Sequence, residues 1–175
     1  DTLLSYGLPL IEDNCDAIGA KWGKKRTGAF GTFSALSFYA SHHITAGGGG
    51  GMLLTNNDKL ATTAFSLRDW GKKYVTPNYY QTNASVFNTT VDGIPYDVNY
   101  SYDTIGFNFK MNEMSAAFGV EQFKRLPLFV ERRNKNFAYL DKQLDKKYFI
   151  PIKVHKKATP SWFFYPIILN YAPYT

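Results

Sequence analysis

Cysteine is nearly absent: 175 residues hold one, Cys15. A single thiol excludes a disulfide framework within the chain, and with it any metal cluster ligated by several of its cysteines. Long apolar runs are missing too. No stretch approaches the roughly 18 apolar residues of a membrane span, and no signal-peptide pattern is visible. Histidine is scarce, and two of the three residues, His42 and His43, are adjacent. Neighbours in sequence rarely point at one ion, so no metal site is expected. Acidic residues number 14 against 20 basic ones, a net charge of +6. The positive charges sit in short clusters such as Lys24-Lys25-Arg26 and Lys156-Lys157, not in a long run. A small anionic substrate or simple solubility accounts for them, and neither a nucleic-acid nor a membrane partner is expected. With so little cysteine, the expected compartment is a reducing cytoplasm.

The remaining composition is that of a globular protein, 45% hydrophobic and 19% charged, with 13 Tyr and 14 Phe. Three Asn-x-Ser/Thr triplets start at Asn83, Asn88 and Asn99. Such triplets arise by chance in Asn- and Thr-rich stretches and carry no weight here. The chain starts at Asp1 and stops at Thr175 after a strand-like run, and so reads as an excerpt of something longer.

Hydrophobic patterning predicts an alternation of short strands and amphipathic helices. Asp1 to Gly7 reads as a helix tail with a glycine cap. Leu8 to Ile11 is predicted as a buried parallel strand ending in Glu12-Asp13, at the strand end where open α/β sheets place ligand groups. Trp22 to Gly31 reads as an exposed hairpin or loop, with further strands at Phe33–Phe38 and Gly51–Thr55. Asn57 is a predicted cap for a helix over Asp58–Arg68, and Asn112 caps a second. No period holds from Trp70 to Tyr102, a length that points to a functional or subunit-contacting loop. Leu126-Pro127 is predicted to break the second helix, since proline suits the first turn of a new one. That new helix carries a stripe of Val130, Arg133, Phe137, Leu140 and Leu144. Aliphatic pieces at 149–152 and 162–169 read as the opening strands of a smaller α+β domain, and His155 there as a surface residue without a partner.

Chemistry concentrates in Ser37 to Met52, where a hydroxyl, two histidines and five consecutive glycines follow a strand. Imidazole titrates near neutrality, and glycine admits unusual dihedrals and close backbone approach. Singly, Asp13, Ser37 and His42 are weak signals.

Together with other segments they resemble a known family. Ile-Glu-Asp-Asn-Cys-Asp-Ala (11–17), Ser-Phe-Tyr-Ala-Ser-His-His-Ile-Thr (37–45), Arg-Asp-Trp-Gly (68–71), Gly-Phe-Asn-Phe-Lys-Met (106–111) and Glu-Met-Ser-Ala-Ala-Phe-Gly (113–119) resemble the DegT/DnrJ/EryC1/StrS family. The resemblance implies an α/β fold-type I aminotransferase-like architecture. Residues 1–125 would be part of a cofactor-binding large domain with a mixed, mostly parallel sheet. Residues 126–175 would be a connecting helix and the start of a small C-terminal domain. The cofactor implied is pyridoxal 5'-phosphate or pyridoxamine 5'-phosphate. Asp13 matches the carboxylate that pairs with its pyridine nitrogen, Ser37 a hydroxyl bound to its phosphate, and Asn108 an asparagine reaching the phosphate of the neighbouring subunit. Lys110 stands where many members have Arg, as a candidate substrate contact. His43 is read as a further substrate contact, as orienting His42, or as packing. The glycine run departs from the family's Gly-Glu-Gly-Gly by lacking Glu and by one extra residue.

His42 occupies the position where most members carry the lysine that binds the cofactor covalently. Imidazole cannot form that bond but can move protons. This exchange marks the sugar 3-dehydratases, such as the GDP-4-keto-6-deoxymannose enzyme. The implied activity removes the C3 hydroxyl of a nucleotide-linked 4-keto-6-deoxy sugar, with glutamate as amino donor and a homodimer sharing its active sites. Lys72 to Tyr102 contains no cysteine, so no iron–sulfur cluster is expected. The alternatives are a nucleotide-sugar aminotransferase of the same family and a non-catalytic fold relative.

Overall fold

A computed structural model describes residues 5–73 and 89–171. The chain divides into two compact units, one of residues 1–54 with 112–175, the other of residues 55–111.

In the first unit, β1 (Ile11–Asp13) runs parallel to β4 (Phe33–Ser37), and β4 pairs antiparallel with β5 (Gly51–Leu54). The sheet is therefore mixed, with Asp13 opposite Ala35 and Ser37 opposite Gly51. The first strand lies two to three residues later than the apolar run suggested, and Glu12 and Asp13 are inside it. Pro9 has no N–H to give a ladder, and pairing begins only where the Leu10 carbonyl accepts from Thr32 and Phe33. Nor is the strand buried within this chain, since Ile11 is 69% exposed.

Glu12 has a structural job: its carboxylate accepts the backbone N–H groups of Gly28 (2.7 Å), Phe30 and Gly31 (both 2.6 Å). That clamps the turn after the hairpin of β2 (Lys21–Trp22) and β3 (Lys25–Arg26). β9 (Ala158–Thr159) adds to the other edge of β2, so residues from both ends of the unit share one small sheet. A further pair joins β8 (Phe149–Ile150) to β10 (Ile168–Leu169).

The helix after Asn112 is unbroken over Glu113–Gln143 and passes through Pro127, contrary to the break expected there. Leu126 is buried against Ile18 and Ile44, and Phe129 and Val130 pack beside them. These contacts pack the helix on both sides of the proline. The carbonyl that Pro127 leaves without a donor belongs to exposed Phe123, where water can reach it. Farther along the predicted stripe, Arg133 donates to the carbonyls of Trp162 and Phe163, and Phe137 stacks on Trp162 at 3.8 Å. Leu140 is largely exposed and Leu144 caps the helix end. His155 is exposed as expected but does have a partner, stacking on Trp22 at 4.5 Å.

In the second unit, the helix Asp58–Arg68 has the bounds and cap predicted for it: Asn57 Oδ1 accepts from the N–H groups of Lys59 and Leu60. Its last turn leads into Asp69-Trp70-Gly71, which is laced to Gly106–Phe109. Phe107 N–H donates to Leu67, Trp70 N–H to Phe107 and Phe109 N–H to Arg68. The aperiodic stretch holds β6 (Thr89–Val91) and β7 (Ile94–Tyr96), joined by Asp92-Gly93, both at positive φ. Residues 74–88 of it, with the triplets at Asn83 and Asn88, lie outside the described residues, as does most of the N-terminal helix tail; Gly7 has the capping φ of +67°. Among the described residues no helix is long and apolar enough to cross a membrane.

Candidate functional site

Parallel strands β1 and β4 deliver Asp13 and Ser37 to the same end of the sheet. The loop that follows β4 is closed by its own backbone. Phe38 N–H donates to Gly50, His42 N–H to Tyr39, and Ala46 N–H to Phe38. Ile44 and Ala46 are buried, so the loop is pinned from beneath. Three of its glycines, Gly47, Gly48 and Gly50, have φ between +75° and +127°. Gly51 passes so close to β4 that a Cβ there would sit 2.8 Å from the Leu36 carbonyl. A Cβ at Gly48 or Gly49 would meet nothing within 4 Å. The run thus serves torsion first and close approach at one end only.

On this loop the two histidines separate. His43 is 3% exposed and its Nε2 lies 3.0 Å from the Ser161 carbonyl, which requires the proton on Nε2. Burial pushes the His43 pKa down, and nearby Arg133 adds to this, while the bond to Ser161 opposes it. The ring is neutral and anchors the loop. His42 keeps 19% of its side chain accessible, with its ring 5.5 Å from Phe163 and 6.1 Å from Tyr39. Its Nδ1 stands 2.6 Å from Asp16 Oδ1, without the alignment of a full hydrogen bond.

Asp13 is exposed, and its carboxyl is held below the usual carboxylate range. The Cys15 thiol does most of this, then the Cys15 N–H at 3.1 Å, with a smaller contribution from the charge of His42. The Cys15 thiol moves the other way, pushed up to about 11 by burial and then by Asp13, so it is no nucleophile. Ser37 Oγ accepts the Tyr39 N–H at 3.3 Å, which leaves its own proton to donate elsewhere. Asp13, Ser37 and His42 therefore share one end of one sheet. Asn108 and Lys110 belong to the second unit, where Asn108 is exposed and bridged through its backbone to Asp69. Sequence reasoning missed Asp16. Its signal was the third carboxylate of Glu-Asp-Asn-Cys-Asp, three residues past Asp13 in the turn that Ala17 N–H closes on Asn14.

The architecture is aminotransferase-like. The solved structure of E. coli GDP-4-keto-6-deoxy-D-mannose-3-dehydratase with bound hydrated PLP matches 96% of this chain and 41% of that one. Its TM-score is 0.77 at 28% identity. The sequence pattern of the DegT/DnrJ/EryC1/StrS aminotransferase family matches residues 3–173, and the chain belongs to that family. It is 39% identical over 170 residues to the lipopolysaccharide biosynthesis protein RfbH of Salmonella typhimurium, covering 94% of this chain and 39% of that protein. It is 34% identical over 170 residues to dTDP-4-dehydro-2,6-dideoxy-D-glucose 3-dehydratase of Saccharopolyspora spinosa, covering 94% and 36%. The chain spans about two fifths of the length of these relatives.

Proposed function

We propose that the protein removes the C3 hydroxyl of a nucleotide-linked 4-keto-6-deoxy sugar, with pyridoxamine phosphate as cofactor and His42 as its acid–base group. One observation carries the reading: an imidazole, pinned at its loop and still accessible, stands where the family resemblance places a lysine. The donor set fits the cofactor. Asp13 offers an exposed carboxyl with a lowered pKa, suited to a pyridinium nitrogen. The Ser37 hydroxyl has a proton free for a phosphate oxygen. Asn108 would serve the phosphate of the neighbouring subunit in a homodimer, and Lys110 the substrate. When bound, pyridoxamine phosphate supplies an amine and an electron-accepting ring.

His42 would move protons at a ring nitrogen, first as base and then as acid toward the departing hydroxyl. It cannot tether the cofactor covalently, so Asp13 and Ser37 carry the holding. Glutamate would recharge the amine. An ordinary aminotransferase of the same family requires the lysine amine, and His42 argues against it. With one cysteine, this chain cannot itself supply the roughly four thiolates of an iron–sulfur centre, which favours a cluster-free reaction. A cytoplasmic enzyme fits the same composition.

The test uses the full-length protein with pyridoxamine phosphate and GDP- or dTDP-linked 4-keto-6-deoxy sugars. Ammonia and a 3-deoxy-4-keto product are expected. Transfer of the amine onto the sugar would overturn the reading. His42→Lys should gain a borohydride-reducible link to the cofactor and lose dehydration. Full activity in His42→Ala would remove His42 from its role.

A further inference from the structure

We infer that Asp16 is a positioning residue for His42, holding the imidazole in the tautomer that carries its proton on Nδ1 and presents Nε2 as the working atom. The inference rests on the proposed role of His42.

Asp16 Oδ1 is 2.6 Å from His42 Nδ1, within reach of a charge–dipole contact although the N–H is not aligned on the oxygen. A carboxylate oxygen only accepts, so at that separation a lone pair on Nδ1 would be repelled and a proton there is favoured. The other nitrogen, Nε2, then keeps its lone pair in the neutral ring. Both partners are fixed from the backbone. Asn14 N–H donates to Ala35 in the middle of β4, Ala17 N–H to Asn14 and Ala20 N–H to Ala17, so the turn bearing Asp16 is built onto the sheet. Asn14 is itself buried at 4% exposure. On the other side, His43 is bonded to Ser161 and the ring of Phe163 lies against both histidines, at 5.5 Å from His42 and 5.9 Å from His43. The ring of His42 is thus limited by Phe163 and Tyr39, and Asp16 selects which nitrogen bears the proton. When Nε2 takes up a proton the imidazolium is stabilised by the same carboxylate, which lowers the cost of that step where the reaction needs it.

The alternative is a partly exposed ion pair of no consequence to the ring, since the Asp16 side chain is 55% exposed and such pairs contribute little to stability. Nitrogen NMR of the full-length protein separates the two at a pH where the ring is neutral, with His42 assigned by its loss in His42→Ala. The wild type should show Nδ1 protonated. Asp16→Ala should move the proton toward Nε2, and Asp16→Glu should restore the wild-type tautomer. In parallel, kcat for dehydration should fall about 10- to 100-fold in Asp16→Ala with KM changed less than about threefold. Partial recovery is expected in Asp16→Glu. An unchanged tautomer in Asp16→Ala overturns the inference even if kcat falls, and so does an unchanged kcat. The NMR comparison needs no turnover. A wild-type protein that fails to dehydrate would therefore defeat the proposed function while leaving the tautomer result to decide on Asp16.

Discussion

His42 and His43 are adjacent yet live in different media, one accessible beside a carboxylate and one sealed against the Ser161 carbonyl. The second makes a prediction about pH. Unfolded, His43 titrates near its ordinary 6.5, and folded it titrates lower because burial disfavours the charge. Above 6.5 neither state binds the proton, so this term costs nothing. As pH falls below 6.5 the unfolded chain gains a proton that the folded one refuses, and stability drops until the folded pKa is reached. Urea midpoints of the full-length protein between about pH 8 and about pH 5 should therefore slope more steeply than those of His43→Gln, whose amide can still donate to Ser161. Equal slopes would mean that the burial of His43 is not felt. The resemblance singled out His42, but residue type and spacing did not tell which of the two histidines is buried. Which of two neighbours turns inward is decided by Phe38, Ile44 and Ala46 seating the loop.

At the level of elements, capping signals proved the most legible. Asn57 and Asn112 mark their helices because a short side-chain oxygen satisfies N–H groups that the helix leaves free, a local event. Pro127 misled for the complementary reason. Its effect on a helix depends on what the flanking turns bury, and Leu126 and Val130 are packed in a core that no local window contains. The contact of Arg-Asp-Trp-Gly with Gly-Phe-Asn was likewise hidden, since its partners are more than thirty residues apart in the chain. It depends on glycine. Gly71 has φ +84°, and a Cβ there would collide with the Thr104 carbonyl oxygen. Gly71→Ala should destabilise this unit by about 2–4 kcal/mol. Hydrogen exchange should rise at the amides of Trp70, Phe107 and Phe109. A variant with wild-type exchange at those amides would contradict the close approach.

For the whole molecule, the distribution of charge and the proposed sharing of sites matter most. Between Ala17 and Asn57 there is no acidic residue, and none follows Asp145, so the excess positive charge is carried by these two segments of the first unit. That suits the phosphate-bearing cofactor and substrate proposed above without demanding a polyanion. If Asn108 acts across a homodimer, two crippled chains should repair each other. His42→Ala and Asn108→Ala, each weak alone, should regain up to about a quarter of wild-type dehydration when refolded or expressed together, because every hybrid dimer restores one complete site. No gain on mixing, with hybrid dimers verified by mass, would place Asn108 in its own subunit's site or in none.

The amino-acid sequence alone determined the family, the order of strands and helices, the helix caps, and the set Asp13, Ser37 and His42 as the residues to watch. The caps and most elements follow from residue type and short-range spacing, whereas the family and the set of three residues come from a resemblance carried by short motifs. Both survive without knowledge of the fold. Only the tertiary structure decided that Glu12 holds a turn while Asp13 faces outward, that the helix runs through Pro127, and that His43 is an anchor. It also placed Asp16 against His42. Each of these depends on contacts between segments distant in the chain or on the side to which a loop residue turns, and the energy of packing, not local propensity, selects among them.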